Sequence, residues 1–147
     1  MASFDWGQTG QHALRILLAY VLALPIGWNW GRTRHSTGVR TFPLVAIASC
    51  AYVLVARYVA GPSDPNLGRV IQGLMTGIGF IGGGAIFKEG ATVHGTAAAA
   101  SIWCTGSLGA AVAFGSWDIA ILLSAINLAT IGLRVPAVKD SVDKPDS

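Results

Sequence analysis

Apolar runs of similar length, separated by short polar breaks, occupy most of the chain. Five stand out, at about 13–30, 41–60, 69–87, 96–114 and 117–133. Each comes close to the ~20 residues a helix needs to cross the hydrocarbon of a bilayer. Backbone groups there have no water to bond to, so such runs predict helices, whose hydrogen bonds close within the segment, rather than open strands. The pattern therefore predicts an all-α fold, a polytopic transmembrane bundle of about five helices. Gly115 and Ser116 alone separate the last two runs, which makes them an antiparallel hairpin. Glycine and alanine dilute the third and fourth runs, which leaves open a shallow hairpin that stops short of crossing. In this reading residues 1–134 form one transmembrane domain and 135–147, entered through Pro136, a short polar cytoplasmic tail.

Composition agrees with the pattern. Of the 147 residues, 52% are hydrophobic and 12% charged, where a soluble domain carries roughly 25% charged residues. The net charge of +3 comes from Lys and Arg in the breaks and near run ends, not from one face interleaved with aromatics, so nucleic acid is not an expected partner. Arg32, Arg34, Arg40, Lys88, Arg134, Lys139 and Lys144 fall on one side of a five-span topology and Arg15, Arg57 and Arg69 on the other. Positive residues mark the cytoplasmic face, which puts the N-terminus outside and the C-terminus in the cytoplasm. The first twelve residues carry Asp5 and no basic cluster, so the first run reads as a retained helix, not a cleaved secretory signal. Cys50 and Cys104 lie inside apolar runs, without the spacing of a disulfide framework or a zinc site.

The stretch GLMTGIGFIGGGAIFKEG, from Gly73 to Gly90, holds seven glycines in eighteen residues. Gly77, Gly79 and Gly82 have the G-x-G-x-x-G spacing of a dinucleotide-binding turn, but that turn needs a preceding strand and an acid about twenty residues on. Neither is present: positions 97–102 read AAAASI. On a helix, with about 100° per residue, Gln72, Gly73, Thr76, Gly77, Gly79, Gly83 and Gly84 share an arc of about 160°. Leu74, Ile78, Ile81 and Ala85 project from the opposite side, and Phe80 is the one bulky residue within the small arc. Helices in lipid associate through close contact between small residues at four-residue spacing. Gly73, Gly77, Gly79, Gly83 and Gly84 are thus the predicted helix-packing positions. The answering surface on the fourth helix is expected to be Ala97, Ala100, Ser101, Cys104, Ser107 and Ala111. A second reading has Gly82, Gly83 and Gly84 unwinding the helix to expose carbonyls, as in transporters.

Few polar residues remain as candidates for chemistry. Arg40 precedes the second helix, with Thr41 as its expected N-cap and Pro43 in its first turn. Its plain role is a cytoplasmic anchor, and its functional one a partner for Glu89, the only glutamate of the chain, in an expected Lys88-Glu89-Gly90 turn. Cys104, near the middle of the fourth helix, is either a small apolar residue or a close-contact position. Asn127 is expected to hydrogen-bond to a neighbouring helix, and Arg15 and Arg57 to snorkel to the outer interface. No apolar run offers the clustered carboxylates of a magnesium cage, and no nucleophile stands beside a base. Neither a metal, a cofactor, a catalytic residue nor an enzyme activity is expected.

Three motifs carry a resemblance: Gly38-Val39-Arg40-Thr41-Phe42, the run from Gly77 to Gly84, and Val93-His94-Gly95 continuing through Ser101 to Trp103-Cys104. In this order, over about residues 14–133, they resemble the MgtC/SapB family of bacterial inner-membrane proteins, and Arg40, Glu89 and Cys104 occupy matching positions. The chain departs from the family pattern at Ile26-Gly27-Trp28-Asn29-Trp30, at Phe42, at His94 and at Ala97 and Ala98. The resemblance implies a short form without the soluble C-terminal domain that many relatives append. It also implies the inner membrane, adaptation to low magnesium, a virulence-associated family, and a membrane partner such as ATP synthase.

Two functional readings follow. The first is a regulatory membrane protein that binds partner helices through its small-residue face, with Arg40, Glu89 and Cys104 as candidate partner or ion contacts. The second is a small oligomeric ion or solute transporter. Either one implies contact with the lipid bilayer and a homodimer or other homo-oligomer, because the small-residue faces exceed what one neighbour can cover.

Overall fold

A computed structural model describes residues 5–33, 38–89 and 92–133, with backbone alone for 31–33. Its elements run α1 (Trp6–Thr33), α2 (Gly38–Ala60), α3 (Leu67–Gly84), β1 (Phe87–Glu89), β2 (Thr92–His94), α4 (Thr96–Phe114) and α5 (Trp117–Gly132). Each apolar run has become a helix. The tail 134–147, Arg34 and Gly90, and the side chain of Arg32, lie outside the described residues.

Local chemistry explains where the helix ends depart from the apolar pattern. The α1 helix begins well before the apolar run because Asp5 Oδ1 accepts the Gly7 amide at 2.8 Å, satisfying a donor that a helix start leaves open. The α2 helix starts at Gly38, which puts Thr41 inside it rather than at its cap. Pro43 has no N–H to give to Val39 O. The freed carbonyl faces α1, where a Cβ on Gly27 would lie 3.1 Å from it. The α3 helix stops at Gly84, three residues short of the run: the Ala85 and Ile86 amides tighten onto the carbonyls of Gly82 and Gly83, at 3.0 and 3.1 Å.

The expected Lys88-Glu89-Gly90 turn is part of a larger feature. Phe87 to Glu89 pair antiparallel with Thr92 to His94, in the register Phe87 with His94, Lys88 with Val93 and Glu89 with Thr92. The Phe87 and His94 rings stack at 5.4 Å, a cross-strand aromatic pair that helps hold so short a hairpin. The hairpin returns the chain to Gly95, whose φ of +86° suits glycine and whose hypothetical Cβ would fall on Ala85 O. The end of α3 and the start of α4 therefore touch backbone to backbone.

The α4 helix is the hub, packing against each of the other four helices. The α1 and α2 helices lie along one another, α3 leans on α4 and α2, and α5 leans on α4 and α1. The core is Ala19, Ala23 and Ile26 of α1, Ala46, Cys50 and Val53 of α2, and Leu108, Val112 and Ala113 of α4. Many of these are small, and on α4 small residues recur on every side. A Cβ on Gly109 would come within 2.2 Å of Ala46 O, and one on Gly106 within 2.1 Å of Ile78 Cδ1. Those two glycines let α2 and α3 approach the hub. Polar bonds reinforce the contact: Ser101 Oγ donates to Asn127 Oδ1 at 2.8 Å, and Ser124 Oγ donates to Leu22 O at 2.7 Å. The interhelical bond expected of Asn127 is thus present, made to α4.

Where α4 ends, Gly115 (φ +82°) turns its amide to Val112 O at 3.1 Å, and the Ser116 amide reaches Ala111 O at 3.0 Å, the bonding of a Schellman closure. The next carbonyl, of Ala113, accepts from Arg15 Nη1 and from Arg57 Nη1.

Among the described residues, three helices are long and apolar enough to cross a membrane: α1, α2 and α4. The α5 helix is apolar but has 16 residues, about 24 Å of helix against a core of about 30 Å.

Candidate functional site

The predicted glycine face of α3 is real, but it does not point where the sequence reading sends it. Ile71, Leu74, Ile78 and Gly82 turn inward, and Gly73, Gly77, Gly79, Gly83 and Gly84 turn outward. A Cβ placed on any of those five would find nothing within 4 Å. The expected seam between these glycines and α4 is therefore absent. Its physical cause is the greasy side of α3: Ile78 inserts its Cδ1 over Gly106, and burying a branched aliphatic chain against a gap of matching shape outweighs what a flat glycine surface offers. Gly82 alone among the α3 glycines approaches α4, with a Cβ position 3.3 Å from Ala99 O. On α4 the side that meets α3 carries Ala99 and Gly106. Ala97 and Ala100 of the expected answering surface are exposed, and Cys104 and Ser107 half-buried.

Because α3 is held by its inner stripe alone, it stands off from α2 and leaves a groove of about 440 Å³. Val45, Ala48, Ser49 and Tyr52 form the α2 wall, and Gly73, Leu74, Gly77 and Ile81 belong to the α3 wall. Gly73 and Gly77 thus sit at a concave site, continuous with the open face that Gly79, Gly83 and Gly84 extend. The lining is apolar apart from Ser49 and the Tyr52 hydroxyl. Ser49 is 1% exposed, and its Oγ has no hydrogen-bond partner, which is uncommon for a buried hydroxyl.

The other predicted residues are dispersed. Arg40 is exposed in the first turns of α2 and Glu89 exposed on β1, and neither a hydrogen bond nor an ion pair joins them. Cys104 is a free, half-buried thiol on α4. No group of three His, Cys, Asp or Glu able to hold a metal occurs among the described residues. The Gly82-Gly83-Gly84 run closes a continuous helix and does not interrupt one.

Some residues that shape the site went unread in the sequence. Ser49 gave no signal, being one small residue in a long apolar run. Gly106 and Gly109 lie among so many small residues on α4 that periodicity could not single them out. Ser101, Thr105 and Gly109 do recur every fourth residue, and that spacing was the available clue to the inward edge of α4.

Comparison with known proteins places this arrangement. The MgtC family model matches residues 16–139. Protein SrpB of Synechococcus elongatus is 34% identical over 131 residues, covering 81% of this chain and 72% of its own length. Protein MgtC of Brucella abortus is 32% identical over 134 residues, covering 91% of this chain and 56% of its own. Protein MgtC of Salmonella typhimurium is 33% identical over 127 residues, covering 86% and 54%. The chain thus spans little more than half the length of those two MgtC relatives. No solved structure matches it. A family match across most of the chain, joined to helices long and apolar enough for a bilayer, makes this a membrane protein that belongs to the MgtC family.

Proposed function

We propose that the protein is a non-enzymatic regulator of the bacterial inner membrane, multi-pass, with its N-terminus outside and its C-terminus in the cytoplasm. It binds partner helices on the outward face of α3 and the adjoining α2–α3 groove. The observation that carries this reading is the open glycine face: five glycines on one helix at which an added Cβ would meet no neighbouring element of the described chain within 4 Å. Glycine costs a helix stability relative to alanine, and in lipid it repays that only where another backbone comes close. A foreign helix or a second copy of this chain would supply the missing surface, and a homodimer is the simplest such assembly. By family resemblance the setting is adaptation to low magnesium or to host stress, and ATP synthase is one such membrane partner.

The test is cross-linking in native membranes. With Cys50 and Cys104 replaced, single cysteines from Gln72→Cys, Thr76→Cys and Phe80→Cys, exposed beside the glycines on the outward side of α3, are expected to capture a second protein or a second copy. Ile121→Cys and Ile126→Cys, on the exposed side of α5, are expected to capture neither. Silence at every α3 position, or equal capture from α5, overturns the reading. The transporter alternative drew on an interrupted glycine helix and on Glu89; α3 is continuous to Gly84, and Glu89 lies exposed on β1.

A further inference from the structure

The arginines at the closing end of α4 have a geometry that capping alone does not account for. Arg15 of α1 and Arg57 of α2 both donate through Nη1 to the same carbonyl, that of Ala113. The Arg57 guanidinium also lies 5.5 Å from the centre of the Phe114 ring. Two positive charges are thus drawn within reach of one oxygen, at a helix C-terminus whose dipole offers only about half a negative charge. Each guanidinium has five N–H donors, and among the described residues each makes one hydrogen bond. No carboxylate of the described residues pairs with either, and both side chains are half-buried. Two like charges brought this close raise each other's energy, and an anion between them would offset that cost.

The location narrows the choice of anion. Arg57 is three residues from the end of α2, and Ala113 one residue from the end of α4. Tyr58, Phe114 and Trp117, all exposed, belong to the same end of the bundle, and aromatic residues mark headgroup depth in membrane proteins. The anion available at that depth is a lipid phosphate, and the planar guanidinium fork suits phosphate oxygens better than an ammonium does.

We propose that Arg15 and Arg57, where α1, α2 and α4 meet, bind the phosphate of an anionic phospholipid. The site is separate from the α3 face and stands whether or not that face takes a partner.

Delipidated protein in neutral detergent, given phosphatidylglycerol, phosphatidylcholine or inorganic phosphate in turn, is read by native mass spectrometry and thermal melting. Phosphatidylglycerol is expected to be retained and to raise the melting midpoint, with phosphatidylcholine retained far less. The double variant Arg15→Gln/Arg57→Gln is expected to lose this retention. Should it fail to fold, Arg15→Lys and Arg57→Lys keep the charge and a donor to Ala113 O while giving up the fork. Each is expected to weaken phosphatidylglycerol binding roughly tenfold. Equal retention of the two lipids, or undiminished binding by the lysine variants, overturns the proposal. A shift with inorganic phosphate to which phosphatidylglycerol adds nothing also overturns the lipid assignment, leaving a soluble phosphate as the ligand.

Discussion

Two neighbouring helices, α3 and α4, are both rich in glycine, and the residue does opposite work in them. On α4, Gly106 and Gly109 are buried, and an added methyl would strike Ile78 or the α2 backbone. On α3, Gly73, Gly77, Gly79, Gly83 and Gly84 face outward and an added methyl would strike nothing. Composition alone does not separate them. The difference is position: α4 packs against all four other helices and α3 against two. A missing side chain stabilises a bundle in lipid only where a second backbone fills the space. On the hub it draws the protein together, and on the periphery it leaves room for something else.

The sharpest way to break this contrast is Gly109→Ala. Its Cβ would lie 2.2 Å from Ala46 O and 3.0 Å from Ser49 Cβ. Backbone cannot yield as a rotamer does, so α2 must move away from α4. The expected cost is about 3 kcal/mol, the upper end of overpacking, read as unfolding in mixed micelles. An unchanged midpoint would mean that α2 and α4 are farther apart than described.

Gly106→Ala meets the flexible end of a side chain instead, Ile78 Cδ1 at 2.1 Å, and a loss of about 1–2 kcal/mol is expected. Ile78→Val removes that carbon, so the double variant should regain about 1 kcal/mol of coupling in a cycle. Additive losses would show that the two residues do not touch. Gly77→Ala should have the smallest effect and the opposite sign, raising stability by up to about 1 kcal/mol through helix propensity alone. A fall instead would mean that the α3 face is already filled within the chain. The same substitution is expected to weaken cross-linking to the partner, because stability and docking are separate demands on this helix.

The arginines draw a similar contrast. Arg40 lies exposed near the N-terminus of α2, whereas Arg15 and Arg57 turn back onto a carbonyl of the hub. In the sequence all three sit near the ends of apolar runs, where Arg40 reads as a cytoplasmic anchor and Arg15 and Arg57 as snorkelling residues. Which end is adjacent to another helix terminus depends on packing, so the convergence on Ala113 was beyond the reach of the sequence.

Much of the architecture was legible because solvent dictates it. An apolar run in a bilayer must close its own hydrogen bonds, so the five helices, the full extent of α4, the α4–α5 hairpin and the family motifs could be read from residue order. The amphipathic division of α3, small residues on one side and aliphatic on the other, was legible as well. Tertiary structure decided which side faces inward. Lipid is as apolar as either face, so hydropathy does not choose between them, and the outcome rests on shape: Ile78 fits the gap at Gly106, and no element of the described chain fits the glycine face. The groove beside Ser49 and the arginine pair follow from the same cause, since contacts between helices depend on complementary surfaces that no single segment contains.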